Sequence, residues 1–210
     1  MANANTNGTG VVNGGLTLTK ILVALNVVIY VLLCLRGDPQ SADYMLHSGA
    51  LYLPAVLENH EFYRLVTAVF MHFSVSHLFN NMLLLFFMGD VLEDEIGKIR
   101  FALLYLLSGI AGNAVTLALQ MRTGSYSVSA GASGAVFGVL GGLLCLLILR
   151  HGHVSYLTGG RMAFFVLYSL FTGFSSAGVN NIAHVSGLAA GFVLMLILSA
   201  GLPHSGRIYS

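Results

Sequence analysis

Charge is what this sequence has least of. Asp, Glu, Lys and Arg make up 8% of its 210 residues, and hydrophobic residues make up 56%. A soluble domain carries about 25% charged residues, so this chain has too little charge to cover a water-facing surface. It reads as one polytopic membrane domain. The net charge of +1 argues against a nucleic-acid partner. Two cysteines, Cys34 and Cys145, lie in separate apolar runs and show no disulfide or metal-ligand spacing. They read as small core or lipid-facing residues. The opening MANANTNGTGVVNGG lacks both the basic start of a signal peptide and the arginines of a transit peptide. A disordered tail is expected over residues 1–16, a membrane domain over 17–202 and a second tail over 203–210.

A second absence is sharper. The last acidic residue is Glu95, and residues 96–210 contain no Asp or Glu. An intramembrane aspartyl protease needs two acids in its spans, and proton-coupled transport draws on buried acids as well. No H-E-x-x-H occurs, which argues against a zinc metalloprotease. No metal and no other cofactor is expected.

What is there is apolar sequence in long runs. A helix crossing about 30 Å of hydrocarbon needs about 20 apolar residues. Six candidates fit: 17–35, 74–92, 99–120, 131–149, 162–179 and 182–202. The expected fold class is therefore all-α, a six-transmembrane-helix bundle. The fifth candidate is the weakest, because Thr172, Gly173, Ser175 and Ser176 interrupt it. With six spans both termini share a side. That side collects Lys20, Lys98, Arg100, Arg150, Arg161 and Arg207, whereas the other has Arg36, Arg64 and Arg122. The bias places both termini in the cytoplasm. The connection over 36–73 is partly apolar, in GALYLPAVL and FYRLVTAVFMHF. It is expected to lie in the interface or dip into the membrane.

Polar residues inside spans are costly and mark candidate sites. His77 and Asn81 open the second span, Gly131 and Ser133 the fourth, and His184 the sixth. These three spans run the same way, so the side chains share one depth below the outer surface. His77 and Asn81 are four apart and share a helix face, for which Asn80 competes. Taken singly, each has a plainer explanation. A histidine can bond a backbone carbonyl, an asparagine a neighbouring helix, and a serine its own helix. Gly134, Gly138 and Gly142 form a small-residue ridge, as do Ala183, Gly187 and Gly191. If the ridges pack together, Ser133 and His184 flank one seam.

A serine needs a base to become a nucleophile, and a histidine can serve. With no acid nearby in sequence, the expectation is a Ser–His dyad with His184 held by packing. Phe137, one turn after Ser133, could supply a ring face. The backbone N–H of Ser133 at a helix start, with His77 and Asn81, could form an oxyanion hole. Gly131 would permit the tight turn before Ser133.

Three motifs in this order, HFSVSHLFNN, GASGAVFG and AHVSGLAAG, resemble the rhomboid intramembrane serine proteases. FYRLVTAVFMH also resembles that family's first loop, so the resemblance runs from about residue 17 to 202. It implies Ser133 as nucleophile and His184 as base. His77, Asn81 and the Ser133 N–H would be the oxyanion donors. His72 would be structural, and Tyr63 with Arg64 would match an aromatic–arginine pair. Glu93 would be an acid at the inner end of span two, and Gly187 and Gly191 the ridge against span four. Phe137 stands where some relatives have tyrosine. The implied substrates are single transmembrane helices in the bilayer, cut near the outer face at small residues, with span five as a lateral gate. Two other readings remain: an inactive relative acting as a membrane chaperone or binder, and a small transporter. The natural substrate and the oligomeric state are not legible.

Overall fold

The structure, a computed structural model, describes residues 16–155, 157–175 and 180–200. Leu16 apart, the expected tails lie outside the described residues, as does the end of the expected fifth span. Helix α1 (Leu18–Arg36) starts where Thr17 accepts a hydrogen bond from the Lys20 N–H. Its first N–H groups have no intrahelical partner. The buried Glu93 carboxylate accepts from the N–H groups of Leu18 and Thr19, at 2.8 and 2.7 Å, and from the Thr19 hydroxyl at 2.8 Å. A carboxylate at a helix N-terminus also meets the positive end of the helix dipole. The Asp90 carboxylate accepts from the Thr17 hydroxyl at 2.8 Å. Two acids thus bolt the start of α1 to the end of the second apolar helix.

That second helix is α5 (Val75–Leu84), a π turn over Leu85–Gly89 and α6 (Asp90–Ile96). The π turn brings Gly89 against Thr19, so that a Cβ at 89 would lie 2.9 Å from the Thr19 methyl. Before it, the first loop folds into α2 (Ala42–His47), α3 (Leu53–Leu57), α4 (Arg64–Thr67) and a 3₁₀ turn (Ala68–Phe70). Arg64, 6% exposed, organises this loop. Its guanidinium donates to Glu61 at 2.5 Å and to the carbonyls of Leu46 and Ala50, each at 2.7 Å. Contacts with α7 and with the segment before α8 tie the loop to later parts of the chain. Asn113 of α7 (Lys98–Thr123) donates to the Leu65 carbonyl at 2.9 Å, and Leu51 pairs with Ser129 as an isolated antiparallel bridge. Leu57, Phe62, Tyr63 and Val66 remain exposed on it.

Helix α8 (Ser133–Leu149) is the centre of the molecule, buried at nearly every position from Gly134 to Leu147. It is enclosed by α5–α6, α7 and α10 (Asn181–Ser199). The seam with α10 is made of backbone. A Cβ on Gly187 would run into the Gly134 carbonyl oxygen, and one on Gly191 into that of Gly138. The sequence ridge is corrected at its third position. Gly142 faces Leu104 and Leu92, and Gly141 takes its place against the Leu188 carbonyl. At 3.6 residues per turn, a residue seven on from Gly134 is about 20° off its face and one eight on about 80° off.

The outside of the molecule is apolar, with Val28, Phe87, Leu107, Phe164, Val193 and Ile197 among the exposed side chains. The inside carries polar groups, including Thr19, Asn26, Ser108, Asn113 and Thr116. That inversion suits a bilayer. Four helices are long and apolar enough to cross one: Leu18–Arg36, Val75–Ile96, Lys98–Thr123 and Asn181–Ser199. The remaining two expected spans are helices of 17 residues each, α8 and α9 (Gly159–Ser175). Both fall short of the about 20 residues of a full crossing. The helical expectation holds, with one small addition. Between α8 and α9, β1 (His153–Val154) and β2 (Leu157–Thr158) pair antiparallel, His153 opposite Thr158. The chain is mostly helical, with this hairpin as a small exception.

The seam gives a test of the packing. Gly187→Val forces a side chain into the Gly134 backbone, and overpacking of this kind costs about 1–3 kcal/mol or more. Gly159 has open space around its Cβ position, so Gly159→Ala should change stability by less than about 0.5 kcal/mol. Thermal unfolding in detergent should show a clear loss for the first variant and none for the second.

Candidate active site

Four segments meet near the start of α8. Ser133 is the first residue of that helix, so its backbone N–H lies among the donors a helix leaves unpaired. The turn before it is set by Gly131, whose φ of +145° is left-handed backbone that suits glycine. Space demands glycine there too. A Cβ at 131 would lie 2.7 Å from His77 Cε1 and 2.8 Å from His77 Nε2, and 3.7 Å from Ser133 Oγ. The edge of the His77 ring and the serine hydroxyl thus border the same small space.

The first loop clamps this turn from below. The Gly131 N–H donates to the Ala68 carbonyl at 2.9 Å. The Ala132 N–H donates to His72 Nε2 at 3.4 Å. To accept there the imidazole carries its proton on Nδ1 and is neutral. Burial, and then the neighbouring His77 ring, hold its pKa down to about 3. The two rings meet edge to face with centroids 5.0 Å apart. His72 is fully buried and spends its acceptor on the backbone leading into Ser133.

The helix carrying His77 begins at Ser74, whose hydroxyl accepts from the His77 N–H at 3.2 Å. One turn on, Asn81 is 6% exposed, and its Nδ2 has no protein acceptor among the described residues. Asn80, about 100° round the helix, is exposed. An unpaired buried donor costs about 1–3 kcal/mol.

His184 stands in the first turn of α10, 6% exposed. The Phe137 ring lies flat on the imidazole, with centroids 4.4 Å apart and planes 11° from parallel. Gly134, next to Ser133, packs against the Ala183 carbonyl, next to His184, with 3.5 Å to its Cβ position. Ser133 and His184 therefore sit on facing first turns of one glycine seam, and Gly187 and Gly191 continue that seam inward. Among the described residues no hydrogen bond joins the Ser133 hydroxyl to the imidazole, and His184 Nδ1 has no acceptor. Catalytic bonds are often loose without substrate. Four of the eight acids are engaged elsewhere: Glu61 with Arg64, Glu95 with Arg150, Asp90 and Glu93 with α1.

Sequence reasoning passed over Asn180. It is the N-cap of α10, its side-chain oxygen accepting from the Ala183 N–H at 3.1 Å. An asparagine just before an apolar helical run was the available signal.

Comparison with known proteins places the chain. The sequence model of the Rhomboid domain matches residues 59–201. Rhomboid protease GluP of Bacillus subtilis (strain 168) is 31% identical over 194 residues, covering 92% of this chain and 37% of that protein. RHOMBOID-like protein 4 of Arabidopsis thaliana is 40% identical over 162 residues, covering 76% of this chain and 40% of its own. Inactive RHOMBOID-like protein 8 of the same plant is 32% identical over 155 residues, covering 70% of this chain and 41% of its own. The chain thus spans about two fifths of the length of these relatives. With its rhomboid domain and its apolar helices, it is an integral membrane protein that belongs to the rhomboid family.

Proposed function

We propose that this protein is an intramembrane serine endopeptidase. In this reading Ser133 is the nucleophile and His184 its base, and no acid completes a triad. The observation that carries it is the pairing across the seam. Ser133 opens α8 beside the edge of His77, and His184 opens the facing helix with its ring stacked on Phe137. Rhomboid protease GluP, by its name, supports the reaction class.

The chemistry would run as acyl transfer. The Ser133 hydroxyl attacks the scissile carbonyl carbon while His184 takes its proton. The carbonyl oxygen becomes an oxyanion facing the Ser133 N–H, the His77 ring and the Asn81 amide. When the tetrahedral intermediate collapses, the peptide C–N bond breaks and His184 gives the proton to the departing amine. Water, deprotonated by His184, then releases the acyl group and restores the serine. Preorganised donors of this kind act strongly in a site that excludes bulk water.

The same reading makes the domain over 17–202 a six-span bundle, with α8 and α9 completing it and tails at 1–16 and 203–210. The first loop then lies at the outer face with its exposed Leu57, Phe62 and Val66 in the interface. Both termini are cytoplasmic, in a bacterial inner membrane, on the basic-residue bias. Substrates are single-span proteins that enter from the bilayer past α9 and are cut near the outer face. No metal, other cofactor or nucleic acid takes part.

A second reading is that of an inactive membrane chaperone or binder. The missing Ser133–His184 bond and the relative named inactive favour it. A fluorophosphonate decides between them. The purified protein should be labelled covalently and should cleave a single-span substrate, and Ser133→Ala should abolish both. His184→Ala should fail alike, and the double variant should be little worse, since residues acting as a unit lose function together. An unlabelled, folded wild type would overturn the protease reading.

The oxyanion donors separate by burial. Asn81→Ala and His77→Ala should each lower turnover by on the order of 10²–10³. Asn80→Ala, on the exposed face, should leave it near wild type. Turnover of folded variants with a single-span reporter checks the order. A larger loss at Asn80 would mean that the other face of α5 lines the site.

A further inference from the structure

Asn180 does more than cap a helix. Its side-chain oxygen accepts from the Ala183 N–H at 3.1 Å, and its backbone carbonyl accepts from the His184 N–H at 3.3 Å. The first turn of α10, with His184 in it, is thereby fixed to residue 180. The other end of the same amide points away from that helix. Nδ2 donates to Thr116 Oγ1 at 2.9 Å and to Ser129 Oγ at 3.0 Å. An amide NH₂ has two donors, and both are used.

Each acceptor is itself anchored. The Thr116 hydroxyl donates to the Gly112 carbonyl at 2.9 Å, and Gly112 packs on the Ala183 carbonyl, with 3.1 Å to its Cβ position. Ser129 exchanges two backbone bonds with Leu51, at 2.8 and 2.9 Å, four residues before Ser133. One side chain therefore joins the helix that carries His184, the helix α7 behind it, and the strand that leads into Ser133.

Among the described residues His184 Nδ1 has no acceptor. The ring is aligned by Phe137 stacking and by the path of its own backbone, and stacking alone leaves it free to slide in plane. The Ser133–His184 distance then depends on how the two first turns are set against each other. We propose that Asn180 is a positioning residue, whose amide sets α10 against the 127–132 turn and so holds His184 in register with Ser133. This rests on the serine-protease reading above. A misplacement of about 1 Å can cost on the order of 10² in rate.

The test removes the tie and keeps the cap. Thr116→Val with Ser129→Ala deletes both acceptors and leaves Asn180 to cap α10. Its hydroxyl-keeping counterpart is Thr116→Ser with Ser129→Thr. Fluorophosphonate labelling rate, kcat and KM for a single-span reporter are measured well below each variant's unfolding temperature. The double deletion should lower the labelling rate and kcat by roughly 10-fold to 10²-fold. KM should stay near wild type, and the hydroxyl-keeping pair should recover most of the lost rate. A variant that loses thermal stability but keeps its kcat overturns the proposal. So does a deletion pair that fails to fold while the hydroxyl-keeping pair folds, since the tie is then a folding element. A loss confined to KM overturns it too. If the wild type itself is not labelled, the protease reading falls and takes this inference with it.

Discussion

Everything in the site depends on how closely α8 and α10 approach. Gly187 meets the Gly134 carbonyl, Gly191 that of Gly138, and Gly141 the Leu188 carbonyl, in each case with no room for a Cβ. In a bilayer the hydrophobic effect gives no drive for two apolar helices to associate, so packing and hydrogen bonds must supply it. A seam of bare backbone maximises both contact and closeness. It also brings the first turns of two helices together, and each of those turns carries one polar side chain of the proposed dyad. Packing in the seam and geometry in the site are thus the same constraint.

The second feature is how little of the site is held by charge. His184 has an aromatic ring against its face, and His72 gives its acceptor to the Ala132 N–H. Gly131 is fixed by the Ala68 carbonyl, and Ser129 by a two-bond bridge to Leu51. The carboxylates work at a distance, Glu93 and Asp90 at the start of α1 and Glu61 on Arg64 in the first loop. Neutral hydrogen bonds and stacking carry no charge to desolvate, which suits groups as buried as these. The first loop, in this light, is a clamp on the turn that leads into Ser133.

Much of this was legible in the sequence. Helices lie over all six apolar runs, the end of the fifth falling outside the described residues, because length and hydropathy are strong signals when charge is scarce. His77, Asn81, Ser133 and His184 all fall in first or second turns of their helices, as the sequence suggested. The face of α5 was ambiguous between Asn80 and Asn81, since three and four residues both fall near one turn; packing buries Asn81 and leaves Asn80 out. The third glycine of the ridge was misplaced, because a spacing of four drifts around the helix by about 40° per step. Asn180 was missed because its meaning lies in Thr116 and Ser129, 64 and 51 residues away.

The central claim is that Ser133 and His184 work without an acid. It is tested most directly by the pH–rate profile of the detergent-purified wild type, beside variants in which each of the eight acids in turn is changed to its amide. The account predicts a rate that rises through one ionisation as His184 loses its proton and then levels off. It predicts that every folded amide variant keeps that profile and its plateau. A folded variant that loses about 10⁴-fold in turnover, the scale seen when a triad aspartate is amidated, would contradict it and show that a carboxylate reaches His184.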